Sequence, residues 1–245
     1  MKRPYERDGT DRLGRKRFAV ILVRPENPEN IGLAARAMKN TGFDDLRLVG
    51  LEELDPEASR TAIHCRSILD RARFFPSLAE ATRDLELVLS STARFRKTFT
   101  VVPLAEALET VLRFPPATRV GLVFGNERTG LSSAELGVSN FVFFIPQASS
   151  QPSYNLASAV LLTLYSLFDR SRGEIVTREA SPLPRTEQED CIRLILRKLE
   201  KKEFIHPGNR VHVTEMVQDL FGRIALSEKD RRFLLALLDK SVDGR

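Results

Sequence analysis

Residues 18–50 read FAVILV, RPENPEN, IGLAARAMKNTG, FDD and LRLVG, and this stretch decides the fold. An almost wholly apolar six-residue run gives way to a proline-stiffened polar turn. A helical pattern follows, and a second apolar run closes the unit. Runs that are apolar throughout, rather than alternating, mark strands covered on both faces, so the unit predicts strand, crossover helix and parallel strand. The helix is expected to start at Asn30 as N-cap and to stop at Gly42.

The same rhythm recurs outward along the chain. LELVLSS at 85–91, VGLVFG at 120–125 and FVFFI at 141–145 are further apolar, β-rich runs. The predicted class is α/β, with a mainly parallel sheet, helices on both faces and functional loops at the carboxyl ends of the strands. PLAEALETVLRF at 103–114 places Leu104, Leu108, Val111 and Leu112 at helical spacing and reads as purely structural. After Phe168 the pattern weakens into a polar stretch with Gly173, Pro182 and Pro184, read as a linker over 171–186. CIRLILRKLEKKEF and SEKDRRFLLALLDK then frame a small all-helical unit over 187–245.

Composition narrows the class further. The 245 residues carry a net charge of +5, and residues 1–17 alone hold +4 of it, while 18–170 stands near neutral. A basic tail suits a polyanion, and a solubilising segment has the same composition. The absence of a long apolar run or signal-peptide pattern predicts a cytoplasmic protein with no membrane partner. Cys65 and Cys191 form no metal or disulfide pattern, and His64, His206 and His212 lack ligand spacing, so no metal is expected.

Three segments place polar or glycine residues straight after an apolar strand. In the first, Arg24 to Gly42, Arg36 and Lys39 share a helix face where a phosphate could dock; two solvated cations are the plainer reading. The second, FGNERTGLSSAEL at 124–136, has two turn-forming glycines but Leu131 where a phosphate-binding P-loop needs lysine. In the third, 145–168, Ser153 is expected to cap a long helix with Asn155 in its first turn.

Together and in this order, NIGLAAR at 30–36, FGNERTGLS at 124–132 and IPQ with PSYNLASAV at 145–160 resemble the three motifs of the TrmH-like branch of SPOUT methyltransferases. The helical appendix, EFIHPGNRVHVTEMVQDLF at 203–221, resembles the C-terminal extension of the TrmJ-type subgroup. The resemblance implies a C-terminal trefoil knot and S-adenosyl-L-methionine held by three loops. Ser91, Thr92, Ala93, Gly125, Ile145, Pro152, Ser153, Tyr154 and Leu156 would line its pocket.

It also implies catalytic positions at Asn30, Arg36, Glu127, Ser153 and Asn155. A guanidinium is a reluctant base, so Arg36 is assigned an electrostatic role on the ribose-phosphate, and Glu127 or the phosphate takes the proton. The implied reaction is 2′-O-methylation of cytidine or uridine at position 32 of the tRNA anticodon loop. Ribosomal RNA, another tRNA position, or a silent RNA-binding protein on the same fold are the alternatives. The implied assembly is a homodimer, and Leu33, Ala34, Ala37, Val160 and Leu164 are compatible with its interface, though each could equally be core. Two departures stand out: Asn126 where TrmJ relatives usually carry arginine, and Tyr154 for a common leucine.

Overall fold

The computed structural model describes residues 14–94, 98–148, 153–170, 180–222 and 224–240. Pro152 and most of the expected tail and linker therefore lie outside the described residues. Among the described residues seven strands form one parallel sheet: β1 Phe18–Val23, β2 Asp45–Val49, β3 Arg73–Phe75, β4 Leu87–Ser91, β5 Val101–Pro103, β6 Val120–Phe124 and β7 Phe141–Phe144. Their order is β3-β2-β1-β6-β4-β7-β5. The five runs read from the sequence are β1, β2, β4, β6 and β7. The edge strands β3 and β5, three residues each, were not foreseen.

Alternate residues of each central strand feed opposite faces. Val20, Leu22, Leu48, Leu89, Leu122 and Phe143 join a larger core with α1 Pro28–Thr41, α2 Glu57–Thr61, α3 Arg66–Leu69, α5 Leu104–Leu112 and α7 Leu156–Arg170. Ile21, Val23, Val88, Val123 and Val142 join a smaller one with α4 Leu78–Thr82 and α6 Ser133–Leu136. Burial on both sides explains why the strands carry no polar alternation.

Helix α1 corrects one expectation. Its N-cap is Asn27, whose side chain accepts from the Glu29 N–H at 2.9 Å, with Pro28 in the first turn. Asn30 sits inside the helix, 4% exposed. Proline fits the first helical position because its missing N–H would have no partner there. The helix ends at Gly42 as expected. Gly32, also on α1, is required: a Cβ there would meet the Ala58 carbonyl at 2.2 Å and Thr61 Oγ1 at 2.1 Å. Helix α2 therefore lies directly on the backbone of α1.

The last residues of the expected tail are folded. Arg15–Arg17 form a 3-10 turn, and Arg17, buried, donates to the Pro115 carbonyl at 2.6 Å. Helix α8, Arg185–Lys201, begins inside the expected linker and packs with α9, Arg210–Gly222, and α10, Glu228–Lys240, around Cys191, Ile192, Ile195, Phe221 and Leu226. Amides lie at the junction of this helical unit with the sheet, beside apolar Val138, Val142, Ile192 and Leu196. The wholly buried Gln188 donates to the Glu86 and Leu183 carbonyls at 2.9 and 2.6 Å and accepts from Asn140 at 3.2 Å. Asn140 in turn accepts from the Val88 N–H at 2.8 Å. Among the described residues no helix is long and apolar enough to cross a membrane.

Candidate active site

A cavity of about 560 Å³ opens where β4, β6 and β7 end. Ser91, Thr92 and Ala93 line it from the loop after β4, Gly125 and Glu127 from the loop after β6, and Ile145, Ser153, Tyr154 and Leu156 from the segment between β7 and α7. Three loops far apart in sequence thus converge on one space, at the strand ends where ligands of parallel sheets bind. Its size falls in the range of small-molecule sites, roughly 300–1,000 Å³. Arg94, Phe124, Leu131, Phe144 and Gln147 also line it, and none of them was among the residues expected at the pocket. Arg94 and Gln147 sit just beyond the ends of β4 and β7, the one signal that could have drawn notice.

Side chains brace the second and third loops from within. Gly125 backs onto the turn that closes the second loop: a Cβ there would lie 2.5 Å from the Gly130 carbonyl carbon and the Leu131 nitrogen. Asn126, nearly buried, holds that loop by accepting from the N–H groups of Arg128 and Thr129 at 2.9 and 3.0 Å and donating to the Arg24 carbonyl at 2.8 Å. The departure noted at position 126 is thus a loop brace here. Arg24 itself has a left-handed φ of 48° and is clamped by Glu135, whose carboxyl this guanidinium holds down at about 2 against the opposing effect of burial. In the third loop the Tyr154 hydroxyl donates to the Pro146 carbonyl at 3.1 Å.

Beside the cavity, one polar chain ties the three segments together. Asn30 Nδ2 donates to Glu127 Oε1 at 2.8 Å, and Asn155 Nδ2 donates to Asn30 Oδ1 at 2.9 Å. Glu127 also accepts from the N–H groups of Glu26 and Asn27, at 2.8 and 3.2 Å. An anion at the start of a fourteen-residue helix is well placed against its dipole. Burial disfavours the charged carboxylate, but these donors outweigh it, and the Glu127 carboxyl titrates below the ordinary carboxylate range. Asn155 rather than Ser153 caps α7, since its Oδ1 accepts from the Ala157 N–H at 2.9 Å. Ser153 is exposed at the cavity instead.

Arg36 stands apart. It is exposed on α1 and does not line the cavity of its own chain. Of the five apolar residues matched to an interface, Ala34, Ala37, Val160 and Leu164 are core. Only Leu33 is exposed, and α7, which packs on α1, adds exposed Leu161, Leu162 and Tyr165.

A parallel α/β sheet with a glycine-backed cavity at its carboxyl edge is the arrangement of an enzyme that seats a nucleotide-like ligand. The chain belongs to the SpoU rRNA methylase family, whose model matches residues 17–165. It is 32% identical to the tRNA (cytidine/uridine/adenosine-2′-O-)-methyltransferase TrmJ of Pseudomonas aeruginosa over 240 residues, 92% of this chain and 93% of that one. It is also 32% identical to the tRNA (cytidine-2′-O-)-methyltransferase TrmJ of Methanocaldococcus jannaschii, covering 84% of this chain and 90% of the relative. The crystal structure of TrmJ from Z. mobilis ZM4 superposes with a TM-score of 0.74 at 32% identity, over 91% of this chain and 98% of that one. The SPOUT methyltransferase class expected from the three motifs is borne out.

Proposed function

We propose that this chain transfers the methyl group of S-adenosyl-L-methionine to the ribose 2′-hydroxyl of cytidine or uridine at position 32 of the tRNA anticodon loop, as a cytoplasmic homodimer. The carrying observation is the convergence of three loops on one cavity beside the Asn155–Asn30–Glu127 chain. The residues fit the donor. Gly125 leaves backbone exposed where a Cβ would block the fold of the loop, and Leu131, Phe124 and Leu156 offer apolar walls to a flat base. Thr92, Gln147, Ser153 and Tyr154 supply polar groups.

When bound, the donor supplies a methyl group activated by a cationic sulfur. The chain must present the ribose oxygen in line with it and let its proton depart as the oxygen–methyl bond forms. Glu127 is ill suited to that proton: its oxygens already accept three hydrogen bonds, and its carboxyl is acidic. We assign it to positioning, with Asn30 and Asn155, and set Arg36 on the ribose-phosphate, where its charge favours departure of the hydroxyl proton to solvent water as the oxygen–methyl bond forms. Because Arg36 lies outside its own chain's cavity, the complete site needs a second copy, joined through Leu33, Leu161, Leu162 and Tyr165. Residues 18–170 form the catalytic domain in this reading, with the family's knot, and the helical unit and basic tail assist RNA binding.

Labelled methyl transfer by the purified protein, followed by mapping of the modified ribose, tests the proposal. Label at position 32 supports it, and label in ribosomal RNA or elsewhere in tRNA replaces the substrate. Neither transfer nor donor uptake would leave a silent RNA-binding protein. Arg36→Ala should abolish transfer while donor affinity stays near wild type.

A further inference from the structure

Beside Arg36, the chain between α2 and α3 forms a ridge to which nothing above gives a role. Ile63 is 58% exposed. His64 next to it is exposed and has a left-handed φ of 61°, a conformation costly for a residue with a side chain. Arg60 and Arg66 flank the pair in sequence, their side chains each 77% exposed, and on the neighbouring buried Cys65 burial pushes the thiol up while Arg36 and Lys39 of α1 favour its thiolate. The carboxylates of Glu57 and Asp70 pair with Arg60 and Arg66, but such exposed pairs along one helix are weak and exchange readily for a phosphate. The acidic residues Glu52, Glu53 and Asp55 precede α2 in sequence, while Arg60 and Arg66 stand at its end and beyond it.

The ridge is also rigidly mounted. Helix α2 rests on Gly32, and Thr61 Oγ1 donates to the Glu29 carbonyl at 3.1 Å. An apolar and an imidazole side chain, held on a fixed base and flanked by two arginines, suit an unpaired nucleobase between two phosphates.

We propose that Ile63 and His64 form a base-docking ridge, with Arg60 and Arg66 gripping the adjacent phosphates of a single-stranded RNA loop. The proposal rests on the methyltransferase reading only in placing the target ribose at Arg36. It would make the ridge a substrate-selecting element for a nucleotide neighbouring the methylated one.

Binding of a fluorescein-labelled tRNA anticodon stem-loop to the full-length protein tests this by anisotropy across a salt series. Ile63→Ala is expected to raise Kd about tenfold through the loss of apolar contact with the docked base. Arg60→Gln with Arg66→Gln should flatten the plot of log Kd against log salt by about 1.4, roughly 0.7 for each single-strand phosphate. His64→Gly separates docking from folding: relief of the left-handed strain leaves the protein at least as heat-stable as wild type while RNA binding weakens. Wild-type affinity and salt slope in all the variants would overturn the ridge. Failure of the wild type to take up the methyl donor in calorimetry would overturn the proposed function instead, and the RNA titrations would still decide the ridge.

Discussion

Replacing Asn30 with alanine removes the link through which three loops are held in register. The side chain is 4% exposed and makes two contacts, one to a carboxylate and one from a neutral amide. A hydrogen bond to a charged group contributes about 1.5–3 kcal/mol and a neutral one about 0.5–1.5, so the loss should be about 2–4 kcal/mol. At roughly 2–4 °C per kcal/mol for a protein of this size, Tm should fall by about 5–15 °C. The damage should also reach the cavity, because Glu127 and Asn155 stand on loops that line it. Thermal unfolding measures the first effect and calorimetric titration with S-adenosylmethionine the second. A variant with Tm within about 2 °C of wild type and unchanged donor affinity would refute the bridging role of Asn30.

Gly125→Ala forces a Cβ against the Gly130–Leu131 peptide and should abolish measurable donor binding in calorimetry while the protein still folds, at a cost of about 1–3 kcal/mol. Glu127→Gln should slow transfer about tenfold and leave the acidic limb of the pH–rate profile in place; a loss of 10²-fold or more with that limb removed would restore Glu127 as the base. The folded-state carboxyl of Glu135 is depressed to about 2, so its bond to Arg24 stabilises the protein fully above the ordinary carboxylate range. Denaturant titrations should accordingly show the advantage of wild type over Glu135→Gln fading as pH falls from about 4.5 towards about 2. Tyr165→Asp, on the exposed face of α7, should yield monomers in light scattering and lose transfer while retaining donor binding.

Much of the fold was legible because burial on both faces leaves a plain mark: FAVILV at 18–23 and VGLVF at 120–124 are buried at every position. The short edge strands RFF and VVP lacked the length to show any period. In the site, Gly125, Glu127 and Asn155 could be picked out by motif, but their work could not. Asn27 and Asn30 are the same residue type three apart, and only Pro28 between them signalled that the cap falls at the first. The pairing of Asn30 with Glu127 spans 97 positions and leaves no local pattern. The basic tail misled for a similar reason: Arg17 looks like its neighbours in sequence, yet its guanidinium meets a carbonyl nearly a hundred residues away.

The amide fastening at Gln188 has a mechanical corollary. A wholly buried carboxamide with three partners accepts one geometry: turning the helices on the sheet would leave dry polar atoms out of reach of one another, at a cost of about 1–3 kcal/mol each. Gln188 therefore acts as a key that sets one docking angle for the trio of carboxyl-terminal helices, where the neighbouring Ile192 and Leu196 alone would tolerate sliding.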